Sequence, residues 1–491
     1  MKFFLFPLHG PGGIRAVLVR LLLVIISVCA GFTAAFPANL FIENTEFNYV
    51  PGTGQAPVLV CTVSWEAAWH TARNHDAVWL FVKLRQQHRS ESSVLVAASG
   101  HETLAAYGNS PRSALFQVPS DRRGVFVAPP KPHRGVVSWK IKLRLDETSL
   151  RNFNFNDVTF GSVYGVEMVY VPEGPFYEGD ADTTAHREAA AYEAVTKQPL
   201  LIASENEIGV GTQPGNLYYR VGQTPEYRGD QRGPIPAEYP KGFRAFYVMK
   251  YELTQGQYAD FLNSIYEQYT NVRANFGGRL YRQLRGTIGL ENGRYLAQKP
   301  REPLNFVSWD DGCAFADWAC LRPMTELEYV KASRGPQRPA PGDYPWGTSL
   351  KAKLNRFFND SGELVVGAGL AESQLTDETK ELFGGSYFWV MDLATGYWER
   401  VVGYGHEQGR NFKGTHGDGR LSAGGEATND DWPRNHTGGV GYKGGGYYQP
   451  NMRAGAFVPN SPVGYRPFAA WAEGPRAEGY GFRCVRTASV G

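Results

Sequence analysis

Glycine sets the tightest limit on this chain. It fills 57 of 491 positions, and between residues 401 and 446 it takes 14 of 46. Each glycine inside a helix costs about 1 kcal/mol relative to alanine, so such a segment cannot be helical. Tyrosine (27), phenylalanine (28) and tryptophan (11) are also plentiful. Glycine and aromatics without low complexity predict short strands, tight turns and ordered loops held by ring packing. With 42% apolar and 20% charged residues the chain is too apolar for disorder. The net charge of +2 lacks the basic excess of a nucleic-acid binder.

Lys2, Arg15 and Arg20 precede an apolar run, residues 21–30, and then small residues up to Ala35. This pattern is that of a secretory signal peptide over residues 1–35, with cleavage expected after Ala35. The run is shorter than the roughly 20 residues of a membrane span. Cleavage removes three cations and no acid, leaving 47 cations against 48 acids. The mature chain is therefore expected outside the cytoplasm, secreted or at the cell surface, with no membrane span and no nucleic-acid partner. Four cysteines remain there, Cys61, Cys313, Cys320 and Cys484, too few to be a disulfide framework.

The expected fold class is α+β. β-Branched and aromatic runs at 58–65, 77–85, 93–98, 124–128 and 136–145 predict a β-sandwich domain over residues 36–160. Within it, residues 65–76 (WEAAWHTARNHD) fit one or two helical turns. Further on, three capping boxes predict helix starts: Thr254 with Gln257, Ser308 with Asp311, and Thr325 with Glu328. Tyr258, Phe261, Leu262 and Ile265 form an apolar stripe behind the first. Gly335 and Pro336 stop the third.

Four segments then stand in order: 166–179 (VEMVYVPEGPFYEG), 247–263 (YVMKYELTQGQYADFLN), 303–335 (PLNFVSWDDGCAFADWACLRPMTELEYVKASRG) and 481–486 (GFRCVR). Together, over residues 162–488, they resemble the formylglycine-generating enzyme, or sulfatase-modifying factor, domain. The resemblance implies a C-type-lectin-like fold with little regular structure, and an oxidoreductase that uses copper(I) held by two cysteines. The family places that pair after a Gly-Gly-Ser turn. The matching turn here is Lys443-Gly444-Gly445-Gly446, and residues 448–480 contain no cysteine. A soft ion such as copper(I) needs those thiolates.

Sulfoxide synthases of the same fold use iron and histidines. The only close upstream pair here is His70 and His75, which on a helix would diverge by about 140° and read as packing histidines. The family's calcium segment resembles 392–400 (DLATGYWER), in which Trp398 and Glu399 align and Gly396 replaces an asparagine. Glu399 is thus the expected residue of a weakened calcium site, or a plain hydrogen-bond acceptor. In the glycine-rich loop, His416 and Asp418, with Asp430, Asp431 and Trp432, are ligand-binding candidates that could meet sugar hydroxyls. Their spacing matches no metal motif, and solvated loop polars are the plainer reading.

Cys313 and Cys320 lie seven apart on one predicted helix, about 10 Å between Cα atoms, beyond the roughly 7 Å a disulfide spans. The resemblance implies that the terminal-strand cysteine, Cys484, bonds to this helix, first to Cys313 and second to Cys320. The reading as a whole is a secreted protein with a sulfatase-modifying-factor-type domain lacking the copper pair. It is expected to be a non-catalytic binding or structural protein with an extracellular glycan or surface polymer as partner, and no cofactor besides calcium. The competing reading is a divergent metal-dependent oxidoreductase.

Overall fold

A computed structural model describes residues 34–35, 40–49, 52–86, 90–151, 153–155, 158–182, 190–221, 228–350, 352–358, 364–434, 438–445, 462–466, 468–471 and 476–488. The expected signal peptide lies, up to residue 33, outside the described residues.

All three capping boxes form. The Thr254 hydroxyl accepts from the Gln257 amide at 3.4 Å while Gln257 Oε1 accepts from the Thr254 amide at 3.2 Å. Ser308 and Asp311 make the same exchange at 3.1 and 2.9 Å, and Thr325 and Glu328 at 3.1 and 3.0 Å. They open helices Gln255–Ser264, Trp309–Trp318 and Glu326–Arg334. Gly335, at φ 63°, ends the last. Tyr258, Phe261, Leu262 and Ile265 are all buried, as their spacing requires.

The strands fall into two large sheets and several small ones. The first large sheet runs in the order Ala34–Ala35, Phe41–Asn48, Val58–His70, His133–Arg144, Glu102–Ala106. In the second, Leu115–Gln117, Val125–Ala128 and Asp76–Gln86 are followed directly by Val158–Val171, Phe246–Met249, Cys484–Thr487 and Arg322–Pro323. The boundary expected at residue 160 therefore runs through a sheet. The Asp76–Gln86 strand pairs antiparallel with Val158–Val171 from Gln86↔Val158 to Asp76↔Val169. The second sheet, begun by strands before residue 160, continues into strands of the later half. One apolar core joins them, from Cys61, Trp79 and Trp139 to Phe261, Phe315 and Val485. Polar contacts cross in the same way. Trp79 Nε1 donates to Ala319 O at 2.9 Å, Lys83 Nζ to Gly419 O at 3.1 Å, and Asn74 Nδ2 to Phe388 O at 2.8 Å.

Residues 65–76 are not helical. The Val58–His70 strand continues through them, with a bulge between Trp65 and Ala68 where Ala67 takes φ 51°. A turn closed by Thr71 and Asn74 then returns the chain, so that His75 bridges His70. Trp65 and Trp69, whose i,i+4 spacing imitates a helix, are both buried in this bulged strand.

Candidate functional site

The glycine-rich loop spends most of its expected residues on structural partners elsewhere in the loop and on neighbouring elements. Asp431 accepts from the amides of Lys413 and Thr415 at 2.9 and 3.3 Å and from the Thr415 hydroxyl. Trp432, buried, donates from Nε1 to Thr415 O at 3.0 Å. His416 Nε2 accepts from the Thr487 amide at 3.0 Å. Burial, with Arg486 and Arg322 nearby, lowers its pKa well below the usual histidine value and keeps it neutral. The Asp418 amide donates to Asp317, and Asp418 O accepts from Arg123 at 2.8 Å. Of the expected residues Asp430 alone is exposed. These groups pin two loop arms to the terminal strand; they do not frame an open site.

Glu399 is fully buried, and both its oxygens accept from one guanidinium, Arg483 Nε at 2.8 Å and Nη2 at 2.7 Å. The expected calcium oxygen is thus engaged by the arginine of the terminal Gly-Phe-Arg-Cys strand. The neighbouring Leu393 carbonyl accepts from the Tyr329 hydroxyl. A Cβ at Gly396 would lie 2.1 Å from Glu252 Oε1, so a larger residue here would require that carboxylate to move. Glu252 is itself buried, and burial with Glu399 and Asp392 nearby pushes its pKa well above the ordinary carboxylate range.

Cys61, Cys313, Cys320 and Cys484 are all free and buried. The expected bond from Cys484 to the helix is not formed. Cys320 lies past the helix end at φ 56° and faces Ser93, 3.9 Å away. Burial pushes the Cys61 thiol up to about 12 and raises the other three.

Two further clusters depend on the fold. Lys250 is fully buried and meets Glu372 at 2.9 Å, Glu167 at 3.3 Å and Asp76 at 3.7 Å. Burial opposes its charge, but the three carboxylates outweigh it and hold the ammonium protonated. Its partners come from three distant segments, so no local spacing announces it. His70 and His75 also meet, ring centroids 4.7 Å apart, because the turn at 71–74 folds one onto the other. His70 Nδ1 contacts Pro129 O at 2.6 Å and His75 Nε2 contacts the Tyr247 hydroxyl at 3.1 Å. These contacts are those of packing histidines. Among the described residues no three His, Cys, Asp or Glu side chains are grouped to hold a metal ion.

The second cluster is aromatic and lies beside the turn where the resemblance places the copper cysteines. Strands Trp398–Val402, Val440–Gly444 and Tyr480–Phe482 form one sheet, the last parallel to the first. Tyr442 packs on Tyr480 at 4.8 Å and on Trp471 at 5.6 Å, and Phe468 bridges Trp398 and Trp471, each at 5.5 Å. Arg400, buried, donates to the Tyr442 hydroxyl at 2.6 Å and lies 5.4 Å from the Tyr480 ring. Phe468, Trp471 and Tyr480 are half-buried, so ring surface faces outward. Gly445, at φ 109°, passes so close to the Trp398 indole that a Cβ would sit 2.8 Å from it. Copper(I) does not fit the residues present, since the sequence holds no cysteine from 448 to 480, an interval mostly outside the described residues. A separate cleft of about 420 Å³ is lined by Glu205, Arg244, Arg322 and Glu328 among others. There Arg322 and Glu328 already pair, and Glu205 caps the amides of Lys241 and Arg244.

Two formylglycine-generating enzymes are similar to parts of the chain. That of Thermomonospora curvata is 41% identical over 58 residues, 12% of this chain and 18% of its own length. That of Bos taurus is 27% identical over 155 residues, 26% of this chain and 40% of its own length. The chain thus spans well under half the length of these relatives. Residues 161–488 match the sulfatase-modifying factor enzyme 1-like domain. That match takes in about two thirds of the sequence and includes all three capping boxes, the Glu399–Arg483 pair and the aromatic sheet, and the chain belongs to this family.

Proposed function

We propose that this protein acts outside the cytoplasm as a non-catalytic binding protein built on a sulfatase-modifying-factor domain. The ligand we assign to it is a glycan or other surface polymer, met by the aromatic sheet at Trp471 and Tyr480. One observation carries this reading: where copper thiolates would stand, the chain has rings and glycine, while every described thiol is buried and held protonated. A protonated, buried thiol is neither a metal ligand nor a nucleophile. The half-exposed rings of Trp471 and Tyr480 offer apolar faces on which sugar rings can stack.

The relatives' names favour a second reading, an oxidoreductase. One experiment separates the two. Exported protein is loaded with copper(I) or iron(II) and given a cysteine peptide and oxygen, and in parallel is screened against immobilised glycans. Glycan retention that falls with Trp471→Ala, without peptide oxidation, supports binding. An aldehyde product with stoichiometric metal overturns it.

A further inference from the structure

One segment is fastened to the rest of the molecule by side chains. Residues 367–379 carry the short helical turn Glu372–Gln374, which rests against the strand Val58–His70. Among the described residues the backbone-to-backbone hydrogen bonds of 368–379 stay within 367–382. The outward ties are ionic or polar, and several are open to water. Arg73 grips Asp377 at 2.9 and 2.7 Å, and the Asp377 side chain is half exposed. Trp389 Nε1 reaches the same carboxylate at 3.1 Å. Arg134, exposed, donates to Ser373 O at 3.2 and 2.9 Å and to Leu375 O. Exposed ion pairs hold little, so this segment belongs to the low end of local stability.

From this turn one carboxylate reaches inward. Ala371, Ser373 and Gln374 are exposed, while Glu372 meets Lys250 Nζ at 2.9 Å and accepts from the Tyr251 hydroxyl. Both contacts use the same oxygen, Oε1. The other acids at Lys250 belong to the second sheet: Asp76 and Glu167 stand on the strands Asp76–Gln86 and Val158–Val171. They are fixed by the ladder, whereas Glu372 arrives from outside it. The ammonium also lies 4.8 Å from the centre of the Trp69 ring. Two buried polar atoms at this place lack a partner among the described residues, Trp69 Nε1 and Glu167 Oε1.

An ammonium, a phenol hydroxyl and an unengaged indole N–H are donors that suit a carboxylate. We infer that Glu372 is the built-in occupant of a carboxylate-binding site, and that the segment 367–379 is a latch that lifts to let a small free carboxylate take its place. Charge selects this class of guest. Exchanging one carboxylate for another leaves the balance around Lys250 as it was, whereas a neutral guest would strip a counter-charge from a fully buried ammonium. The inference makes no use of the aromatic sheet and stands apart from the function proposed above.

The test follows hydrogen exchange of the full chain at peptides within 367–379 and at the helix Gln255–Ser264. Sodium chloride, sodium acetate, sodium glucuronate and glucose are compared at constant ionic strength. In the parent the latch peptides should exchange about tenfold faster than the helix, or more. Acetate and glucuronate, but not glucose, should speed them further, because a guest holds the latch open. Arg73→Gln removes the exposed tie and should lower the carboxylate concentration needed by about fivefold. It also removes the exposed guanidinium at which a carboxylate could act without entering. In Glu372→Ala the sign reverses. The guest fills the emptied place beneath a closed latch, so both carboxylates should slow latch exchange and raise the melting temperature. Latch exchange unmoved by either carboxylate in the parent and in Arg73→Gln, an equal effect of glucose, or no reversal in folded Glu372→Ala would overturn the inference.

Discussion

Arg483 shows how much one side chain can hold here. It joins Glu399 through two bonds and donates to Met249 O and Met391 O at 2.7 and 2.9 Å. Breaking a buried pair from one side strands the other charge, at a cost of about 3–5 kcal/mol. Arg483→Met should lose stability on that scale in denaturant titration, and Arg483→Met with Glu399→Leu should recover part of it. Because Glu399 is so engaged, neither millimolar calcium nor a chelator should move the melting temperature. A shift of several degrees would reveal a site at this carboxylate. His75 gives a pH signature. Burial, with His70 beside it, lowers its folded pKa to about 4 against an ordinary 6.5. The unfolded chain then binds the extra proton, so its contribution is complete above pH 6.5 and is lost as pH falls toward 4. His75→Phe, which keeps the stack on Tyr170, should flatten that part of the melting-temperature profile relative to the parent. Single residues are the least legible in the sequence. Glu399 is legible as a hydrogen-bond acceptor, but its arginine partner lies 84 positions away. His416 and Asp431 were legible as a polar cluster, whereas their engagement with backbone amides was not, since amides carry no sequence mark.

Secondary-structure elements were read best where the signal is local. A capping box is written in four consecutive residues and needs no distant partner, so Thr254, Ser308 and Thr325 all announced their helices. Replacing any of them by alanine should cost about 1 kcal/mol, measured by thermal or urea melts. Asp311→Ala should cost clearly more than Ser308→Ala. Asp311 closes its box and also receives Arg273 at 3.0 Å and Arg476 at 2.7 and 2.8 Å. Equal losses at the two positions would show that those arginines contribute nothing. Residues 65–76 misled for the converse reason. Two tryptophans four apart satisfy helical spacing, and the bulge that buries both in a strand depends on register with residues 133–137.

At the scale of the molecule, strand runs before residue 160 were legible, but their allegiance was not. Edge and central strands look alike in sequence, and which strand follows Asp76–Gln86 is decided by pairing across the chain. The consequence is measurable. A fragment of residues 36–160 lacks most of the strand that covers Asp76–Gln86, and lacks the acceptors at Ala319, Gly419 and Phe388. It should show no cooperative melt, whereas residues 36–491 should melt as one transition. Independent melting of the fragment would restore a domain boundary there. The shared sheet also bears on descent. A recombination event near the codon for residue 160 would exchange one half of a ladder for a strand that never met the other. Its product would carry Arg486 without Asp121, which receives it at 2.6 Å. A lineage that trims the first half must therefore cover the edge that the Val158–Val171 strand would then expose.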